Sequence, residues 1–156
     1  MDISTLQFWG GIGIAVICGT VIGLERQWRG KPAGIRTSIL ICLGTSLFIR
    51  LGVAHCGEYS DTTRVLGQVV TGIGFLGAGV IFARGGTIVG ITSASVIWIL
   101  AGIGAMIGYG WYKESIVVAL ITVTLLSGIK FIEGKFPDLL RGVYAPEKDD
   151  NDTMKE

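Results

Sequence analysis

The sequence has few groups able to do chemistry in water. Among its 156 residues is a single histidine, His55, with no evident partner. No nucleophile and base stand in a recognisable pattern, which argues against an enzyme. The three cysteines, Cys18, Cys42 and Cys56, form an odd set, and the first two fall inside apolar runs. No disulfide framework is implied. His55, Cys56, Glu58 and Asp61 have no metal-site spacing, so neither metal nor cofactor is expected. Charged residues make up only 16% of the chain and the net charge is +1. Such a balance gives no general attraction to nucleic acid, and none is expected as a partner.

What is present is apolar: 50% hydrophobic residues, 25 glycines and a mean hydropathy of +0.63. These values point to a membrane protein. A membrane-crossing helix needs about 20 mostly apolar residues, and five stretches approach that length, at about 6–24, 39–54, 65–83, 88–108 and 115–132. The second is short unless residues 36–38 or the Arg50 region contribute. The first is not read as a cleaved signal, because no basic residue precedes it and it ends in "GLERQWRG" rather than a small-residue cleavage site. The expected fold is all-α, a polytopic bundle of five transmembrane helices over residues 1–134. A charged cytoplasmic tail without a core of its own is expected over 135–156.

Lys and Arg concentrate in cytoplasmic loops. Arg26, Arg29, Lys31 and Arg36 follow the first segment, Arg84 follows the third, and Lys130, Lys135 and Arg141 follow or end the fifth. The loop "HCGEYSDTTR" and the aromatic "YGWYKE" suit the outer side. An N-out, C-in arrangement is consistent with each of these loops.

The third segment contains Gly72-Ile73-Gly74-Phe75-Leu76-Gly77, the G-x-G-x-x-G spacing of a dinucleotide-binding turn. That reading requires an acid roughly 20 residues on, and the next acid is Glu114. In a bilayer the small residues read instead as helix-packing faces. Gly67, Thr71, Gly74 and Ala78 make one stripe of the third segment, while Gly72 and Gly79 mark another beside Gln68. The fourth offers Ala94, Ala101, Ala105 and Gly108, and the first Gly19 and Gly23. Two smooth sides lead to the expectation that the third segment lies at the centre of the bundle.

Charges near a bilayer are costly unless they pair, snorkel or line a wet cavity. Glu25 is the only acid in a basic loop, and a Glu25–Arg26 or Glu25–Arg36 pair would staple the first two segments. The alternative is a site for a cation, a proton or a partner's charge. Asp61 can cap the start of the third segment, with Arg64 in its first turn. Gln68, Thr92, Ser93 and Ser95 are polar groups suited to interhelical bonds or a pore lining. Arg50, with no acid within a helical turn, is expected to snorkel outward.

Read together, "GLERQWRGKPAGIRTSILICLG", "DTTRVLGQVVTGIGFLGAGVIF" and "GITSASVIWILAGIGAMIGYG" resemble the MgtC/SapB family of bacterial inner-membrane proteins. The first block carries Gly23, Glu25, Arg26, Gln27, Gly30, Pro32, Ala33, Gly34, Arg36 and Thr37. The second carries Asp61, Arg64, Gln68, Gly72, Gly74, Phe75, Gly77, Gly79 and Ile81, and the third Gly90, Thr92, Ala94, Ser95, Trp98, Gly104 and Gly108. The resemblance implies a compact helical bundle with no established reaction. It also implies roles in magnesium homeostasis, in adaptation to low magnesium or acid stress and, in a subset of members, in virulence. Some members are thought to restrain the ATP synthase or other transport machinery. Many carry a soluble C-terminal domain, which is expected to be absent here.

Two functions follow as expectations. The first is a non-enzymatic regulator that binds other integral membrane proteins in the lipid bilayer, with self-association as a homo-oligomer also expected. The second is a small magnesium or proton transporter or channel, against which stands the lack of an acid near the midplane.

Overall fold

The computed structural model describes residues 6–55, 61, 63–84 and 87–135. Cys56 and Glu58 lie outside them, as does the expected tail apart from Lys135. Helix α1 spans Leu6–Trp28, α2 Ile35–Ala54, α3 Thr63–Ala78, α4 Ile91–Gly108 and α5 Tyr112–Lys135. Among the described residues the all-helical class is modified only by a small antiparallel hairpin, β1 Phe82–Arg84 with β2 Thr87–Val89, in which Phe82 faces Val89. It replaces the last turn expected of the third apolar segment. Gly79 loosens the helix there, and the β-branched run Thr87-Ile88-Val89 favours a strand. Gly90 then turns into α4 with φ +96°, where an added Cβ would strike the carbonyl oxygen of Val80.

Two helices stop by the same device. At the end of α1 the Lys31 amide donates to the Arg26 carbonyl and that of Gly30 to Gln27. At the end of α4 Trp111 donates to Met106 and Gly110 to Ile107. Each is a Schellman closure around a glycine at positive φ, +61° at Gly30 and +87° at Gly110. The α1–α2 turn is held further by Gln27, whose Oε1 accepts the Ile35 amide at 3.3 Å and so caps α2 from the neighbouring helix.

The helix directions follow from side-to-side contacts. A Cβ on Gly19 would lie 2.6 Å from the Ile39 Cα and one on Gly23 2.6 Å from that of Ile35, so α1 and α2 are antiparallel and nearly in backbone contact. Gly104 lies against Cys42 and Thr45, and Gly108 against Ile49, so α4 runs parallel to α2. Between them α3 starts beside Gly52, which meets Val65, and ends with Gly77 against Ala94. α5 runs beside α1 in the same direction, from the Tyr112 hydroxyl on the Gln7 carbonyl to a wall shared by Leu24 and Val123.

The core belongs to α1, α2 and α4, where Ile22, Cys42, Ile49, Leu100 and Ile107 are fully enclosed or nearly so. This overturns the placement of the third segment at the centre. Only Gly77 of α3 is buried, whereas α4 buries nine residues along its length. An apolar α4 with small residues on the α2 side can be surrounded, while α3 leans on α4 and, more lightly, on α2. Four helices, α1, α2, α4 and the start of α5, are long and apolar enough to cross a membrane. The chain is thus a multi-pass membrane protein. At 16 residues α3 is about 24 Å long, short of a hydrocarbon core of about 30 Å.

Candidate functional site

The end of the bundle where α1 stops gathers most of the described charge. Glu25 and Arg26 occupy the last turn of α1, and both are buried, Glu25 at 9% exposure and Arg26 at 4%. Arg26 reaches across to the start of α4 and donates from Nη2 to the Ser93 hydroxyl at 2.8 Å. Ser93 is itself buried, so this bond pins α1 to α4 where a charged donor could otherwise not be tolerated. A cation in the last turn also meets the negative end of the α1 dipole.

Glu25 has two basic neighbours. Arg29 Nε stands 2.6 Å from Oε1, and Arg26 Nη1 stands 3.8 Å from Oε2. Neither contact is a directed hydrogen bond: the first lies off the N–H axis and the second is too long. Both carboxylate oxygens are buried without a hydrogen bond, as is Arg26 Nε. Of the two expected pairs the one with Arg26 is present, joined by Arg29 one residue past the end of α1, while Arg36 is exposed and without an ion pair among the described residues. Arg29 was hidden from sequence reasoning only by its neighbours: its i,i+4 spacing from Glu25 is the signal that finds it. Beside the pair, between α1 and α5, opens a cleft of about 530 Å³ whose lining includes Glu25, Trp28, Arg29 and Ser127.

The opposite end carries Asp61 at the start of α3. Its Oδ1 accepts the Thr63 amide at 2.8 Å and the Thr63 hydroxyl at 2.6 Å. These bonds hold the Asp61 carboxyl below its ordinary range, with a smaller contribution from Arg64. Asp61 and Arg64 are exposed and far along the bundle from Glu25, so the expected functional charges divide between the two ends. Among the described residues no group of His, Cys, Asp and Glu could hold a metal ion.

Arg50 does not snorkel outward. Its Nη2 donates to the Tyr112 hydroxyl at 2.7 Å, and its guanidinium lies over the Phe8 and Tyr112 rings at 5.9 and 6.0 Å. It also packs against Gly11. Aromatic faces and a hydroxyl thus hold the cation where no acid was available.

The polar residues expected to line a helix face are scattered. Thr92 and Ser95 are exposed, Ser95 bonding to the Ile91 carbonyl within its own helix. Gln68 borders an apolar groove of about 620 Å³ between α2 and α3. The glycines divide sharply: a Cβ added at Gly23, Gly104 or Gly108 would lie under 3 Å from a neighbouring helix, whereas one at Gly67, Gly72 or Gly74 would have nothing within 4 Å. Gly77 makes ordinary contact with Ala94, and Gly79 meets only the end of its own helix.

Comparison with known proteins gives a consistent result. The MgtC family profile matches residues 12–135. The chain is 45% identical over 121 residues to the protein named putative magnesium transporter YhiD of Escherichia coli K12, covering 72% of this chain and 55% of that one. It is 39% identical over 107 residues to protein MgtC of Salmonella typhimurium LT2, covering 69% and 46%. With the uncharacterized protein slr0014 of Synechocystis the identity is 36% over 110 residues, covering 70% and 47%. The chain spans about half the length of the curated relatives it matches. No solved structure matches it.

Proposed function

Since the chain belongs to the MgtC family, we propose that it is a non-enzymatic regulator of other integral proteins in the bacterial inner membrane, acting through the open face of α3. The carrying observation is the contrast between its glycines. In lipid, helices associate by close packing rather than by the hydrophobic effect. Each of α1, α2 and α4 presses glycines against a neighbour, among them Gly19, Gly23, Gly52, Gly104 and Gly108, and keeps others open, whereas α3 presses none, and its Gly67 and Gly74, on one face, meet nothing within 4 Å. A smooth helix on the rim of a small bundle suits contact with a helix of another protein. The partner class is membrane machinery for ions, with the ATP synthase a candidate carried by the family resemblance, and the setting is magnesium homeostasis.

The magnesium connection also supports a second reading, a cation carrier, because one relative bears a transporter name and Glu25 is a buried acid without hydrogen bonds. Against it, both acids of the candidate set lie at the ends of the bundle and not along it.

The test is tandem purification from native membranes with wild type, Gly67→Leu and Gly74→Leu. The regulator reading expects a membrane partner held by wild type and lost at least tenfold by both variants, with unchanged thermal stability of the isolated bundle. Magnesium or proton flux in liposomes that disappears with Glu25→Gln would overturn it in favour of the carrier.

A further inference from the structure

The cleft between α1 and α5 has a character that neither the α3 face nor a carrier requires. Glu25 is nine-tenths buried and lines it, yet neither of its oxygens receives a hydrogen bond. A buried carboxylate in this condition calls for an N–H or O–H donor. One carboxylate here faces two guanidiniums, Arg26 and Arg29, so the local charge is net positive. A metal cation is repelled by that balance and a phosphate is welcomed. Arg29, with about a quarter of its side chain exposed, is the guanidinium that a phosphate can reach. The remaining wall is apolar, with Leu24 and Val123, and Ser127 is the single hydroxyl of α5 in the lining. At the rim Trp28 is 87% exposed, as aromatic residues are at the headgroup level of a bilayer.

We propose that this cleft binds a phospholipid whose phosphate draws Arg29 off the carboxylate, whose headgroup donor takes its place on Glu25, and whose acyl chain lies along Leu24 and Val123. The chemistry selects headgroups with an N–H or O–H, such as ethanolamine or glycerol. It discriminates against choline, whose quaternary ammonium carries the same phosphate but no donor. The inference is independent of the α3 face and survives or falls separately from it.

Native mass spectrometry of the purified chain tests it, using phosphatidylethanolamine, phosphatidylglycerol and phosphatidylcholine of equal acyl composition. The expected result is a single bound ethanolamine or glycerol lipid retained at least tenfold better than the choline lipid. Ser127→Leu fills the cleft without touching the charges and should remove that adduct, with the melting temperature of the lipid-free protein checked in parallel. Glu25→Ala should abolish the preference over choline. Equal retention of all three lipids overturns the donor assignment, and an undiminished adduct in a folded Ser127→Leu variant overturns the location. Soluble glycerophosphoethanolamine is expected to compete poorly. If it displaces the lipid at equal concentration, the cleft is a site for soluble phosphate esters and the lipid assignment is overturned.

Discussion

Arg50 and Arg26 solve one problem by two routes. Each is a cation drawn into a bundle whose interior has almost no acid. Arg26 is neutralised in part by Glu25 and bonded to Ser93, whereas Arg50 relies on the Tyr112 hydroxyl and two aromatic faces. Asp61 is the simpler case, a helix-start carboxylate on the surface, and its effect on stability has a definite sign. Its folded-state pKa is depressed by the bonds from Thr63, so its contribution is present above the unfolded value of about 3.9. That contribution disappears as pH falls through the lower folded value. Asp61→Ala should therefore be less stable than wild type near neutrality, with a difference that shrinks as the pH falls below the ordinary carboxylate range. Thermal melts of both proteins between pH 7 and pH 2 check this. A difference that persists unchanged at pH 2 would assign Asp61 some role other than accepting from Thr63.

At the scale of the element, glycine is used in two opposite ways. A Cβ on Gly19 would lie 2.6 Å from the Ile39 Cα, and one on Gly104 2.6 Å from the Cys42 carbonyl oxygen. A leucine at either position must separate two backbones, so a loss above about 3 kcal/mol is expected, the upper end of ordinary overpacking. Gly19→Leu and Gly104→Leu should fail to accumulate as monodisperse protein in detergent chromatography, while Gly74→Leu should behave as wild type. The same contrast marks what was legible from the amino acids. Helix existence was, because long apolar runs in lipid have no alternative to helix. The Glu25 cluster was half legible, since its basic loop announced a pair but not that Arg29 and Ser93 would complete it. The place of α3 was not. Small residues at helical spacing say that a face is smooth, but not whether the same chain covers it. Coverage depends on the parallel packing of α4 on α2, which no local pattern records.

At the scale of the whole molecule, the question is how many times the chain crosses. Among the described residues only four helices reach the length and apolarity of a membrane span, and α3 is not among them. Even so, α3 begins at Gly52, near the end of α2, and finishes at Ala94, near the start of α4. Those points lie at opposite ends of the bundle, because α2 and α4 run parallel. If α3 makes this passage through lipid in its 16 residues, it would do so together with the hairpin or by thinning the bilayer around it, at modest cost per ångström of mismatch. Five crossings would place Arg26, Arg29, Lys31 and Arg36 on one side and Asp61 on the other, and the basic loop assigns the first side to the cytoplasm. The expectation is an N-out, C-in protein. Single cysteines at Asp61, Lys31 and Lys135, placed in a variant with Cys18, Cys42 and Cys56 changed to serine or alanine, distinguish the alternatives in intact cells. A membrane-impermeant maleimide should label the first and leave the other two untouched until the membrane is opened. Labelling of Asp61→Cys only after opening, together with Lys31→Cys, would show that α2 does not carry the chain across. Protection of Lys31→Cys with labelling of both Asp61→Cys and Lys135→Cys would mean that one of the three later helices does not cross, and α3 would be the first suspect.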